Sequence, residues 1–175
     1  MKNQKIIFVL FLVIFFSGNT SFSEQTKTSS RIETTTACFS PCGGIQEKII
    51  EKINHSKKLI KIAIYDFTAR KIAAALVAAQ KRQVMVKIVA DFQKSAEPDS
   101  LISFLKENGL AIHLKKGLGK NGIMHNKFAI FDDQEVFTGS YNWTNSAEYW
   151  NWENVVSIRD PQTVNLFIQE FEKLF

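Results

Sequence analysis

The alternation of two apolar periodicities sets the tightest limit on what this chain can fold into. Apolar runs of strand length occur at Leu59 to Asp66, Val84 to Ala90, Leu110 to Leu114, Phe128 to Phe131, Glu135 to Thr138 and Asn154 to Ile158. Around them the spacing turns helical. Ile45, Ile49 and Ile53 recur at four-residue intervals among Lys and Glu. Ala69 to Arg82 is alanine-rich and carries Ile72, Leu76 and Ala79 on one stripe. Asp99 to Asn108 reads as a helix stopped at Gly109. Asp160-Pro161 is an N-cap followed by proline at the first helical position, ahead of a stripe of Val164, Phe167, Ile168 and Phe171. Strands alternating with helices predict an α/β fold, a mixed, largely parallel sheet flanked by helices.

Residues 1–23 have the form of a secretory signal peptide. Lys2 and Lys5 give a basic start, Ile6 to Phe16 is an unbroken apolar run, and Ser21 and Ser23 precede a cut before Glu24. The competing expectation is an uncleaved anchor, because the small-residue site is not A-x-A. Both readings export the domain, to the periplasm or beyond, tethered to the membrane in the second case. Residues 24–37 are polar, rich in Ser and Thr, and read as a linker. That leaves 38–175 as one domain, and roughly 140 residues suffice for a single core. The formal charge of +5 becomes +3 without the leader: 22 basic residues less Lys2 and Lys5 give 20, against 17 acidic. Such a balance suits a polyanionic partner without requiring one. Cys38 and Cys42 are a candidate disulfide in an exported chain, although Pro41 restricts the small loop between them.

The chemistry concentrates between His125 and Glu153. Strand side chains alternate faces, so His125 and Lys127 project together, opposite Phe128 and Ile130. A lysine neutralises phosphate oxygens, and a histidine can attack phosphorus or carry a proton. Asp132-Asp133-Gln134 reads as a polar turn, after which a second strand delivers Ser140 and Asn142 with the same two-residue spacing. Gly139 permits close backbone approach. Taken alone, His125 and Lys127 fit an ordinary surface hairpin better than a site. The full pattern H-x-K-x4-D-x6-G-S-x-N does not. Lys116 and Lys120, in the glycine-rich stretch before His125, read either as a phosphate-contacting flap or as a solvated turn. Tyr141, Trp143, Tyr149, Trp150 and Trp152 follow; stacking on bases is one reading, and packing is the favoured one for most of them. His55 and His113 lie outside any metal-ligand spacing, so neither a metal nor another cofactor is expected.

These residues resemble the phospholipase D superfamily, and most closely its short, exported, single-motif bacterial endonucleases. The resemblance covers most of the chain after Ala37 and implies an α/β/α sandwich. It implies a phosphohistidine mechanism with His125 as nucleophile and a second histidine protonating the leaving oxygen. Lys127 and Asn142 would hold phosphate oxygens, Ser140 would support the site, and Glu153 would orient the histidine. Asp132 completes the motif, but it lies outside the strand alternation and reads as structural. Because the motif occurs once, the resemblance implies a homodimer whose two-fold axis brings two copies of His125 into one composite site. The expected substrate is nucleic acid, DNA first and then RNA. Phospholipid headgroups are the alternative, and a non-catalytic surface protein binding nucleic acid or membrane is the third reading.

Overall fold

The computed structural model describes residues 35–175. The leader and nearly all of the expected linker lie outside them. The strands are β1 (Thr36–Ser40), β2 (Leu59–Ile64), β3 (Met85–Asp91), β4 (Ala111–Lys115), β5 (Lys127–Phe131), β6 (Glu135–Gly139) and β7 (Glu153–Ile158). The helices are α1 (Ile45–His55), α2 (Arg70–Lys81), α3 (Ile102–Glu107), α4 (Asn145–Tyr149) and α5 (Pro161–Leu174). One seven-stranded sheet runs in the order β1-β7-β6-β5-β2-β3-β4.

The sheet is mixed, as expected, but it is not largely parallel. Only β2-β3 and β3-β4 pair in parallel; the four other pairings are antiparallel. The cause lies in the connections. A parallel pair needs a long crossover, and only α2 and α3 supply crossovers between neighbouring strands. The β5–β6 link is a tight turn in which Asp132 (φ 52°) and Asp133 (φ 55°) both adopt the left-handed region. The Gln134 N–H donates to the Phe131 carbonyl at 3.0 Å, closing a hairpin of the primed kind.

Two apolar layers cover the sheet. On one face Ile45, Ile49 and Ile53 of α1 and Ile72 and Leu76 of α2 pack on Ile60, Ile62, Ile64 and Ile88. On the other, Val164 and Phe171 of α5 pack on Ala63, Val89, Phe128, Ile130 and Val136. The odd and even residues of β5 thus serve different layers, as a period of two demands. At its start α5 is fixed by the Asp160 carboxylate, which accepts from the Thr163 N–H at 2.7 Å.

Two further details depart from what the sequence predicts, and a third, the structural place of Asp132, agrees with it. Strand β1 begins inside the segment read as linker and forms the sheet edge against β7. Cys38 and Cys42 are free thiols. The Cys38 side chain reaches Lys48 of α1, whose Nζ lies 2.8 Å from Sγ, while Cys42 is exposed on left-handed backbone beyond the strand. Asp132 faces away from the strand ends that carry His125. Its carboxylate accepts the N–H groups of Lys57 (2.8 Å), Lys58 (2.8 Å) and Leu59 (3.0 Å), pinning the hairpin turn to the start of β2.

Burial works to raise the Asp132 pKa, but the three N–H donors outweigh it and hold the carboxyl below its ordinary value. Asp132→Asn should therefore cost roughly 1–3 kcal/mol in urea unfolding. A depressed carboxyl stabilises the fold above its unfolded-state value, so the difference should be complete above pH 3.8 and fade as pH falls through the lower folded-state value.

Candidate active site

The β2–β5 ladder ends at the pair Ile64 and Lys127. At this end of the sheet lie the carboxyl ends of the parallel strands β2 and β3, the start of β5, the end of β6 and the start of β7. His125 stands two residues beyond the last ladder pair, on chain without strand hydrogen bonds. Its ring meets the Tyr65 ring edge-on, with centroids 4.5 Å apart. Lys127 turns back, its Nζ donating to the His125 carbonyl at 2.8 Å and lying 5.1 Å from the centre of the Tyr65 ring. Imidazole and ammonium thus share one aromatic wall.

The glycine-serine segment is clamped to β7. A Cβ on Gly139 would fall 2.0 Å from the Asn154 carbonyl oxygen, so no other residue fits without moving the strand. The Ser140 hydroxyl donates to Glu153 Oε2 at 2.5 Å and accepts from the Asn154 N–H at 3.1 Å. Glu153 Oε1 accepts from the Asn151 amide at 3.1 Å. Trp143 inserts beside the end of β2: its N–H donates to the Asp66 carbonyl (3.1 Å), and its own carbonyl accepts from Thr68 and Ala69 (2.9 and 2.8 Å). This insertion places Asn142 against the β2 end. The Asn142 Oδ1 atom is buried and has no partner among the described residues.

His125, Lys127, Ser140, Asn142 and Glu153 therefore gather at one end, and Asp132 sits at the other. The expected contact between Glu153 and His125 is not made within the chain. Both Glu153 oxygens are engaged by Ser140 and Asn151, and the His125 ring has no hydrogen-bond partner among the described residues. Lys116 and Lys120 lie on the exposed turn leading to His125. Lys116 Nζ stands 4.1 Å from the centre of the Phe92 ring, and Lys120 is exposed. The aromatic residues split. Tyr141 and Trp143 are core, while Tyr149 is exposed and Trp150 and Trp152 are 78% and 88% exposed. A cleft of about 530 Å³ between α1 and β1, β6 and β7 contains none of the motif residues.

Burial of the His125 ring and the Lys127 charge beside it both lower the imidazole pKa, and Asp91 opposes them. Burial also lowers Lys127, against the charges of Glu153 and Asp66. A neutral imidazole next to a cation suits nucleophilic attack on an anion. Asp66 moves the other way: burial raises it, Lys94 opposes, and Asp99 and Glu97 add to the rise. Tyr65, Asp66 and Asp91 belong to no motif in the sequence. The available signal was their position at the carboxyl ends of parallel strands, where α/β sheets place their sites.

Helices on both faces of the sheet make this a three-layer α/β domain, and an imidazole and a cation share one open end of it. The comparisons with known proteins give the domain its family. A family model described as cardiolipin synthase, PLD-like domain, matches residues 49–175. Nuc from Salmonella typhimurium, a phospholipase D family member, superposes with a TM-score of 0.74 at 32% identity, covering 81% of this chain and 93% of that one. NucT from Helicobacter pylori gives 0.77 at 30% identity, covering 81% and 95%. A mitochondrial cardiolipin hydrolase from Xenopus laevis is 30% identical over 128 residues, which are 73% of this chain and 60% of the relative. The chain belongs to the phospholipase D superfamily. It spans about 60% of the length of that curated relative.

In a nuclear magnetic resonance titration His125 should ionise below the ordinary imidazole value of 6.5. Lys127→Met removes the neighbouring cation and should move that titration upward. A downward or null shift would contradict the electrostatic coupling of the pair.

Proposed function

We propose that this protein is a phosphodiesterase that cleaves nucleic acid internally, through a covalent phosphohistidine on His125. The observation that carries the reading is the placement of His125 and Lys127 on one aromatic wall, facing the same open end as Ser140 and Asn142. A ring nitrogen of His125 attacks phosphorus, forming a P–N bond as the P–O bond to the leaving group breaks. Lys127 neutralises the non-bridging oxygens, the part that a metal plays in other phosphodiesterases. The leaving oxygen takes a proton from a second imidazole. That imidazole then removes a proton from water, which attacks phosphorus and breaks the P–N bond.

The second imidazole is the crux of the reading. His55 lies at the far end of the sheet, bonded to the Glu51 carbonyl, and His113 stands on the edge strand against Phe175. Neither is placed for the task. The protein is read as a homodimer in which the partner subunit's His125 serves, giving one composite site on the two-fold axis.

Nucleic acid is preferred over phospholipid for three reasons. The turn before His125 carries Lys116 and Lys120. Trp150 and Trp152 present indole faces that unpaired bases can stack on, in a segment bonded through Asn151 to Glu153. Nuc and NucT match over nearly their whole length, whereas the cardiolipin hydrolase is much longer than the match. That relative's name keeps lipid hydrolysis as the second reading. The leader is read as directing export, with cleavage near Ser23.

The protein should cleave plasmid or single-stranded DNA with chelator present, and His125→Ala should lower turnover about 1000-fold or more. Cleavage of phosphatidylglycerol or cardiolipin vesicles in place of DNA would establish the lipid reading. Activity that chelator abolishes and magnesium restores would overturn the phosphohistidine scheme. Heterodimers of one wild-type and one His125→Ala chain should be nearly inactive in turnover. Retention of about half the wild-type activity would show that each chain holds a complete site.

A further inference from the structure

Something other than Glu153 must fix His125 within the chain. We propose that Asp91 is the positioning residue for His125: its buried carboxylate ties the strap carrying the histidine to the end of β3 and to the turn that follows. The inference rests on the reading of His125 as nucleophile.

Asp91 ends β3 with 1% of its surface exposed. Its Oδ2 accepts the Met124 N–H at 2.9 Å. Its Oδ1 accepts the Gln93 and Lys94 N–H groups at 3.0 and 2.9 Å. A carboxylate is acceptor-only, and three converging N–H donors match it without a competing acceptor. Met124 is the residue before His125, and neither belongs to the β2–β5 ladder. The strap is therefore held at two points by side chains. Asp91 takes the amide just before His125, and Lys127 takes the His125 carbonyl. The Met124 side chain is buried under α5's layer, which stops the strap from rotating. Through Lys94 the same carboxylate seats the turn whose ammonium faces Tyr65 at 5.9 Å and Asp66 at 3.7 Å. Tyr65 is the ring against which His125 leans.

The arrangement has an electrostatic consequence. Tyr65 after β2 bounds the His125 ring, and the charges that act on it are those of Lys127 on β5 and Asp91 on β3. Lys127 disfavours the imidazolium and Asp91 favours it. Removing the Asp91 charge should lower the histidine's pKa and move the acid limb of activity to lower pH.

Asp91→Asn keeps the size but loses the charge, and it brings an NH2 against one of the N–H donors. The expected result is a fall in kcat on the order of 100-fold from misplacement of the nucleophile, with KM changed less than about threefold. The acid limb should shift down, and in nuclear magnetic resonance the His125 titration should fall. Asp91→Glu keeps the charge and displaces the oxygens. It should lower kcat while leaving the acid limb near wild type. Wild-type kcat and an unmoved His125 titration in Asp91→Asn would overturn the proposal. So would a loss of kcat in which the His125 titration does not move. If neither variant folds, the wild-type Met124 amide decides. It should exchange as slowly as the ladder amides of β5, and exchange at open-loop rates would overturn the proposal. If the wild type cleaves no phosphodiester, the titration and exchange results still stand, so failure of the activity reading is distinguishable from failure of this one.

Discussion

His125, the nucleophile we propose, stands just outside regular structure. The last rung of the β2–β5 ladder is Ile64 with Lys127, and His125 lies beyond it. A residue past a strand end is free of pleat geometry but forfeits ladder hydrogen bonds, which must be replaced if it is to stay in place. Here the replacements come from side chains. Asp91 holds the preceding amide, Lys127 the carbonyl, and Tyr65 bounds the ring. The rest of the fold serves to bring those groups together. Parallel β2 and β3 deliver Tyr65 and Asp91 from one side of the histidine. The antiparallel β5–β6–β7 meander delivers Lys127, Ser140 and Glu153 from the other.

Charge at the site is balanced locally. Lys127 lies within reach of the Glu153 and Asp66 fields, and each carboxylate has a further partner of its own: Ser140 for Glu153 and Lys94 for Asp66. The cation thus keeps donors for a phosphate without being neutralised by a direct ion pair. Glu153 is better described in this chain as the anchor of Ser140 than as the orienter of His125. Its short bond to the hydroxyl and the Gly139 contact with Asn154 lock the β6–β7 end into one geometry.

Much of this was legible from sequence. The period of two around Phe128 to Phe131 placed His125 and Lys127 together, and the period of four exposed the buried faces of α1, α2 and α5, because burial on one face leaves that imprint. The sheet's direction was less legible. Alternating helices and strands suggest crossovers, yet the Asp132–Asp133 turn and the short α4 connect strands that must run antiparallel. Strand β1 left no imprint because Thr36, Ala37 and Phe39 face outward or lie at the edge. The tryptophans could not be sorted by type: Trp143 is drawn inward by its backbone bonds to Asp66, Thr68 and Ala69, and Trp150 and Trp152 are not. Asp91 and Tyr65 were visible only as strand ends, since their importance arises from contacts across long stretches of chain.

If His125 is the covalent nucleophile we propose, phosphorus is transferred twice, first to His125 and then to water. The stereochemical course at phosphorus tests it most directly. A short oligonucleotide with a single phosphorothioate of known configuration is cleaved in isotopically labelled water, and the configuration of the product is read. Two in-line displacements each invert, so a phosphohistidine intermediate requires overall retention. Overall inversion would mean that water attacks directly, and it would contradict the covalent intermediate on His125.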